Sequence, residues 1–436
     1  MSQPESSVWR QMLSVRREER APLALAALSV FLLMTGYFIL RPIRDQMGVA
    51  GGVDNLPWLF TATLLAMFAV NPLYATLVSR FPRLTVVAIC YRALMLCLLG
   101  FWIALVALPE SSSVWTGRVF FVWVSVYTLF ALSVFWALMA DAWRGESSRR
   151  LYGIIAAGAT LGAVAGGALT AGLVDLVGQP ALLLVSLLML EGTVWCLRAF
   201  DRRAPRAPGA AAMEAPVGGG ALDGLRAAVK SPYLLGICGY MLLYTVGSTF
   251  LYFLQAQVVD AMVDGRAAQT RWFAQVDLIV NSLTLVLQLF LTGRLMGRLG
   301  VGLTLAALPL VSLIGFAGLG LWPVLGAVVV FTVARRVSNF AFSRPAREAL
   351  FVPLAREEKY KAKNLVDTVV YRTGDQLGAW TSGLVTWAGF GMAGLAWVAA
   401  PLSALWLALA LWLGRRYRQL QDQPSNPSTN SGVSVE

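Results

Sequence analysis

The chain has 436 residues, of which 58% are hydrophobic and 13% charged, and its mean hydropathy is +0.66. Soluble domains carry roughly twice that share of charged residues, so the composition excludes an ordinary soluble protein. The formal net charge is +12, but the basic residues follow the loops between apolar runs, which excludes a nucleic-acid-binding protein.

The residue types also narrow the chemistry. The chain holds no histidine, which excludes histidine metal sites and histidine proton relays and leaves Asp and Glu as candidate proton carriers. Because the four cysteines fall within apolar runs, they are typical of small core residues rather than of disulfides or metal ligands. They are Cys90, Cys97, Cys196 and Cys238. We therefore expect no metal and no cofactor.

Apolar runs of membrane-spanning length occur along the whole chain. About 20 apolar residues in a helix cross the hydrocarbon core of a bilayer. Charge-free runs of that length lie at 21–40, 56–79, 119–140, 151–174 and 231–259. Two longer runs, 299–334 and 376–414, are each expected to break into two helices, near Pro323 and Gly389. Further runs at 84–109, 176–197 and 278–293 complete the prediction, an all-α membrane protein of about twelve transmembrane helices.

The first helix carries charge at its outer part. Tyr37, Arg41 and Arg44 are spaced to lie on one helix face, and Pro42 loosens the backbone between them. One interpretation is that these arginines extend to the membrane interface, as basic residues at helix ends commonly do. The other is that Tyr37, Arg41 and Arg44 bind an anionic solute, because the forked donors of arginine match phosphate and carboxylate.

Two pairs of similar segments predict an internal repeat. Short basic hairpins, SRFPR at 79–83 and GRLMGRLG at 293–300, follow the second and eighth helices. Longer loops with an acid and a basic cluster, at 140–153 and 343–364, follow the fourth and tenth helices. Two copies of one unit, related by an axis normal to the membrane, are typical of transporters.

The repeat sets the predicted domain boundaries. They are an N-terminal six-helix half over 1–200, a cytoplasmic linker over 201–230, a C-terminal six-helix half over 231–415 and a disordered cytoplasmic tail over 416–436. The linker is rich in Pro, Gly and Ala, which is typical of flexible segments. Most Lys and Arg fall in the loops on one side of the membrane, so the positive-inside rule places both termini in the cytoplasm.

Two features of the first half concern packing and coupling. Gly158, Gly162 and Gly166 recur every four residues in helix five, which favours close approach of another helix; the alternative is a surface on which the halves rock. Glu191 is the only glutamate in the middle of a span, and we predict it to be a gate or coupling residue. Helix three carries one isolated charge, Arg92, whose partner the sequence does not identify.

Helix eight has a polar stripe. Asp277, Asn281, Thr284 and Gln288 share one face. An interhelical hydrogen-bond seam would explain such a stripe. We favour a cavity wall in which Asp277 and Asn281 bind the solute and Asp277 is a candidate proton site.

Helix ten places Arg335 and Arg336 inside the membrane, with Asn339 one turn after Arg335. An ionisable group in hydrocarbon costs on the order of 3 kcal/mol, so it usually faces a partner or a wet cavity. We predict that all three residues bind the solute.

Helix eleven adds a second charged group. Asp367, Tyr371 and Asp375 share a face, and Arg372 can reach Asp375 three residues later. These charges could simply neutralise one another within the bundle. Alternatively, Asp367, Arg372 and Asp375 form an ion-pair gate near the cytoplasmic side that breaks and reforms as a carrier alternates access.

The two-half layout with basic hairpins is similar to the major facilitator superfamily. Three segments, FILRPIRD at 38–45, DAWRGESSRRLYGIIAAGATLGAVAG at 141–166 and RPAREALFVPLAREEKYKAKNLVDTVVYRTGD at 344–375, resemble its bacterial branch related to ATP/ADP translocases. That resemblance implies the major facilitator fold, a bacterial inner membrane and, in the translocases themselves, exchange of nucleotides.

The expected function is secondary transport, without enzymatic activity, of a small polar, anionic solute by alternating access. No GxxxxGK[ST] loop occurs, so the energy would come from a gradient or from exchange. The alternatives are a nucleotide exchanger, a membrane sensor or scaffold that transports nothing, and an enzyme acting on lipid carriers. The expected partners are the solute and membrane lipid, and the expected oligomeric state is a monomer.

Overall fold

The computed structural model describes residues 15–109, 112–143, 146–203, 231–354, 362–363 and 365–422. The predicted linker, apart from residues 201–203, and the tail beyond residue 422 lie outside them. The helices are α1 (Arg17–Ala50), α2 (Leu56–Arg80), α3 (Arg83–Ala107), α4 (Ser113–Ala142), α5 (146–177), α6 (179–201), α7 (Pro232–Met262), α8 (Arg266–Phe290), α9 (Thr292–Leu321), α10 (Leu325–Leu350), α11 (366–387) and α12 (Met392–Asp422).

The predicted count of about twelve helices is confirmed within the described residues. Ten helices are long and apolar enough to cross a membrane. One of them, Leu151–Asp201, is divided into α5 and α6 by Gly178, whose positive φ of 75° ends the regular helix. The shorter α11 is the twelfth.

Several predicted boundaries differ from the structure. The segment 293–300, predicted as a hairpin, begins α9, which is broken at Gly300 by a positive φ of 76°, and α10 continues to Leu350. α8 begins at Arg266 rather than at residue 278. Arg271 and Asp277 interrupt the apolar run in the sequence without ending the helix, because each pairs with a charged residue of another helix. The length of an apolar run therefore underestimates the length of a helix that carries paired charges.

Helices α10 and α11 each contain a π-helical turn. In α10 the turn is Asn339–Ser343, between the α-helical segments Leu325–Ser338 and Arg344–Leu350. In α11 the turn Val366–Val370 precedes the α-helix Tyr371–Trp387. Such π-bulges often occur at functional sites, because they re-aim the side chains that follow.

An even number of crossings places both ends of the described chain at one end of the bundle. We call this the terminal end and the opposite end the distal end. Helices α1–α6, the N-half, bury an apolar core that includes Phe135 and Leu183. Helices α7–α12, the C-half, bury a second core around Trp406 and Phe351 at the terminal end.

The two halves pack against each other in the distal part of the bundle. Leu56 and Phe121 of the N-half share an apolar cluster with Phe253 of the C-half. Trp58 and Trp380 meet edge to face with ring centroids 4.9 Å apart. These contacts hold the halves together at the distal end, whereas the cores nearer the terminal end are separate.

The glycine stripe of α5 packs against α1 within the N-half. A Cβ at Gly158 would lie 2.7 Å from the Ala27 carbonyl oxygen, and one at Gly162 would overlap the Phe31 carbonyl oxygen. Thr35 of α1 also donates a hydrogen bond to the Gly162 carbonyl at 3.2 Å. The stripe is therefore a packing surface and not a boundary between the halves.

Replacement of Gly162 by alanine is expected to destabilise the protein by about 1–3 kcal/mol, the usual cost of overpacking a tight core. The added methyl group would push α5 away from α1. Thermal unfolding of the purified protein in detergent measures the change. Gly172→Ala in the same helix is the control, because a Cβ there meets nothing within 4 Å. Equal unfolding temperatures for the two variants would contradict the close packing.

Candidate functional site

A central cavity lies between the two halves. Its volume is about 540 Å³, and it is lined by α1, α2 and α4 of the N-half and by α7, α8, α10 and α11 of the C-half. Within the described part of the chain its charged residues are five arginines and four aspartates: Arg41, Arg44, Arg335, Arg336, Arg372, Asp45, Asp277, Asp367 and Asp375. The formal charge of the lining is therefore one positive unit.

Asp277 joins the two halves at the cavity. Its Oδ1 accepts a hydrogen bond from Arg41 Nη1 at 2.8 Å and lies 2.7 Å from Arg336 Nη1. Arg41 belongs to the N-half, and Arg336 and Asp277 belong to the C-half. The Asp277 side chain is 3% exposed, and its Oδ2 has no hydrogen-bond partner among the described residues. One carboxylate therefore neutralises only one of two neighbouring guanidinium groups.

A second pair lies beside it on α1. Arg44 donates from Nη2 and Nε to Asp45 Oδ1 at 2.5 and 2.9 Å. Tyr252 of α7 donates to the same oxygen at 3.2 Å. Arg44 is therefore neutralised by its neighbour in sequence, and the hydroxyl of Tyr252 links this pair to the C-half.

Arg335 is held differently from the other cavity arginines. Its side chain is buried, and no salt bridge to a carboxylate is present for it among the described residues. It donates to Ser312 Oγ at 3.0 Å, to Ser248 Oγ at 2.8 Å and to the Tyr244 carbonyl at 3.1 Å. Its guanidinium also lies 5.7 Å from the ring centroid of Tyr244 and 5.9 Å from that of Trp406, within cation–π range.

Local packing explains how Arg335 fits between the helices. A Cβ on Gly247 would lie 3.1 Å from Arg335 Nη2, so glycine lets α7 pass close to the guanidinium. Asn339, at the start of the π turn, donates to the Tyr244 hydroxyl at 2.9 Å. These groups form a polar wall on the C-half side of the cavity.

The predicted gate residues of α11 lie on the same wall. Arg372 and Asp375 form an ion pair at 3.3 Å, and Thr249 of α7 donates to Asp375 at 3.4 Å. Both distances are longer than those at Asp277, so these bonds to Asp375 are weaker. Asp367, in the π turn, also lines the cavity.

Ten of the twelve residues selected from the sequence line the cavity. They are Tyr37, Arg41, Arg44, Asp277, Arg335, Arg336, Asn339, Asp367, Arg372 and Asp375. Asn281 is buried and does not line the cavity, and its Nδ2 has no hydrogen-bond partner among the described residues. Glu191 lies on the outer surface of the N-half, where it pairs with Arg92 at 2.9 Å. At the terminal end of the α8 stripe, Gln288 donates a hydrogen bond to the Phe340 carbonyl of α10, as the interhelical hydrogen-bond interpretation predicts.

The sequence did not indicate several groups that complete the site. Asp45 directly follows Arg44 and could have been found as its neutralising partner. Ser312 of α9 and Trp406 of α12 contact Arg335 from helices that show no polar pattern. A single serine or tryptophan in an apolar run is too common to be a signal.

Comparison of the sequence with protein-family models and with curated proteins gives no match. Solved structures do match over nearly the whole length. A bacterial homologue of the human lysosomal transporter Spinster, inward-facing and unoccupied, is 14% identical, with 94% of this chain and 100% of that chain covered and a TM-score of 0.63.

Two further structures agree. A bacterial homologue of the iron transporter ferroportin, in an inward-facing state, is 14% identical, with 90% and 98% of the chains covered and a TM-score of 0.66. A D-xylose–proton symporter is 11% identical, with 90% and 97% covered and a TM-score of 0.63. At identities this low the comparison shows only the fold. The fold of this chain is that of the major facilitator transporters.

Proposed function

We propose that this protein is a secondary transporter that moves a small anionic solute across the membrane by alternating access. The observation that carries the proposal is Arg335, a buried cation that faces the central cavity and has no carboxylate partner among the described residues. A charge kept in a membrane protein at such cost usually marks a solute pathway.

The hydrogen bonds of Arg335 support an anionic solute. A guanidinium has five N–H donors. Ser312, Ser248 and the Tyr244 carbonyl take one each, from Nε, Nη1 and Nη2. One donor is left on each terminal nitrogen, which suits two parallel bonds to a carboxylate or a phosphate. The charge of the lining, one positive unit, favours the same class.

Positive-inside bias assigns the terminal end to the cytoplasm, with both termini there. Because the halves are packed together at the distal end and have separate cores at the terminal end, this conformation corresponds to a cavity that opens to the cytoplasm. Rocking that separates the distal contacts between the halves, among them those of α2 with α11, would open the other side. The structural neighbours are transporters, which agrees with a protein that is not an enzyme.

Uptake into vesicles tests the proposal. The purified full-length chain is reconstituted into liposomes and offered labelled short-chain carboxylates, organic phosphates and nucleotides, with protein-free liposomes as the control. Accumulation of at least one anion that an excess of the unlabelled anion abolishes is the expected result. Nucleotides are included because three segments resemble the ATP/ADP translocase branch. Binding without flux would favour a sensor, and chemical conversion without flux would favour an enzyme.

A disulfide across the distal end is expected to stop uptake. A Cβ on Gly383 of α11 would lie 3.9 Å from the Cβ of Pro57 on α2, within the range for a disulfide. Pro57→Cys with Gly383→Cys, in a background without the native cysteines, would hold the halves together there. The measurement is anion uptake before and after reduction.

Each single cysteine variant is the control and should keep its uptake under oxidation. Recovery of the double variant on reduction shows that the bond, and not the substitutions, blocks movement. Undiminished uptake by the oxidised double variant, with the disulfide verified by mass spectrometry, would contradict rocking at this contact.

A further inference from the structure

A charged pair lies on the outer surface of the N-half, away from the cavity. Arg92 of α3 donates to Glu191 Oε1 of α6 at 2.9 Å, and Trp195 Nε1 donates to the same oxygen at 2.8 Å. The Arg92 and Glu191 side chains are 49% and 31% exposed, and Trp195 is also largely exposed. The pair is therefore accessible from the lipid side of the bundle.

This pair lies at membrane depth. Arg92 is eight residues from the start of the 24-residue span Leu84–Ala107, or about 12 Å at 1.5 Å per residue. That span exceeds the hydrocarbon thickness of about 30 Å by only a few ångströms at each end, so Arg92 lies within the hydrocarbon. Exposed apolar side chains adjoin it on both helices, among them Leu96 and Leu188.

The pair leaves polar groups unsatisfied. Of the five N–H donors of Arg92, one makes a hydrogen bond within the described residues. Glu191 accepts both of its hydrogen bonds on Oε1, so Oε2 has none there. In hydrocarbon each such group costs several kcal/mol. A partner that supplies a carboxylate and a cation at the same depth would satisfy these groups.

We infer that this surface of α3 and α6 is a dimer interface, on which a second copy of the chain docks about a two-fold axis normal to the membrane. A two-fold interface sets the same patch of each copy against the other. A cation beside an anion complements its own two-fold copy, so the arginine of each copy can donate to the free carboxylate oxygen of the other. Polar groups of this kind hold membrane helices together.

The dimer goes beyond the transport proposal and differs from the monomer expected from the sequence. The surface formed by α3 and α6 lies on the opposite side of the N-half from the cavity. The cavity itself is complete within one chain. Loss of the dimer should therefore leave uptake per chain unchanged, and failure of either proposal leaves the other standing.

Disulfide cross-linking in lipid vesicles at low protein density tests the interface. Leu96, one turn from Arg92 and largely exposed, is replaced by cysteine in the full-length chain without its native cysteines. Oxidation is expected to give a covalent dimer. Ile314→Cys on α9, equally exposed to lipid in the C-half, is the matched control and should remain monomeric.

Exchange of the charges separates an intermolecular contact from a folding effect. Arg92→Glu or Glu191→Arg alone places like charges across the interface and should lower cross-linking about fivefold, for a loss near 1 kcal/mol. Mixing the two variants with different tags should restore cross-linking between unlike chains, because all facing charges are then opposite. Absence of a wild-type dimer, or equal cross-linking in every combination, would overturn the inference.

Discussion

Replacement of Arg335 by glutamine is expected to lower the kcat/KM for anion uptake by about a hundredfold, since truncating a buried charged partner of a ligand costs on the order of 3 kcal/mol. Glutamine keeps a polar side chain beside Ser248 and Ser312 but carries no charge for the solute. Arg335→Lys keeps the charge but loses the paired N–H donors of the guanidinium, so its kcat/KM should lie between those of Arg335→Gln and the wild type. The measurement is initial uptake by reconstituted protein over a range of anion concentrations.

The matched control is Arg92→Gln, which removes an intramembrane arginine outside the cavity. It should transport at the wild-type rate per chain. If Arg335→Gln also transported normally, the solute would have to bind elsewhere in the cavity. The buried charge of Arg335 would then no longer support the proposed function.

Removal of the Arg335 charge is expected to raise the stability of the folded protein although it lowers uptake. Arg335 is a buried cation without a carboxylate partner among the described residues, so its desolvation is incompletely offset. Arg335→Met is therefore expected to raise the unfolding temperature while it abolishes uptake. A residue kept for packing would show the reverse, because its loss would leave a cavity. This contrast separates a solute-binding role from a structural one.

The fold was predictable because apolar length and interruptions by glycine and proline are local signals. The same holds for the selection of intramembrane charges: Arg335 and Asp277 stand out in apolar runs, and the structure places both at the cavity. Their roles remain predictions. The sequence could not show that Asp277 pairs with Arg41, because the two residues are 236 positions apart in different halves.

Glu191 illustrates why a charge in a span does not by itself locate a cavity. Its partner, Arg92, lies on a neighbouring helix of the same half, and both face outward. The helical face on which a charge lies depends on the packing of α3 against α6, which no local pattern encodes. The π turns of α10 and α11 have the same origin, since they depend on contacts between helices rather than on propensity.

Replacement of Asp277 by asparagine is expected to give the largest loss of stability, about 3–5 kcal/mol, because removing one member of a buried ion pair leaves the other charges uncompensated. Arg41 and Arg336 both lie within 2.8 Å of Asp277 Oδ1 and would then repel each other across the boundary between the halves. Thermal unfolding in detergent measures the effect. A shift of similar size is not expected for Asp175→Asn, whose partner Arg271 is as exposed as itself, since such pairs contribute about 1 kcal/mol or less.

A second substitution distinguishes charge repulsion from loss of packing. In Asp277→Asn combined with Arg336→Gln, one guanidinium remains without a close cationic neighbour, so part of the lost stability should return. If the double variant were less stable than Asp277→Asn by the full effect of Arg336→Gln alone, the two residues would act independently. Asp277 would then matter for the shape of the wall and not for neutralising the arginines. Recovery, by contrast, would show that Asp277 stabilises the contact between the halves by neutralising the two arginines.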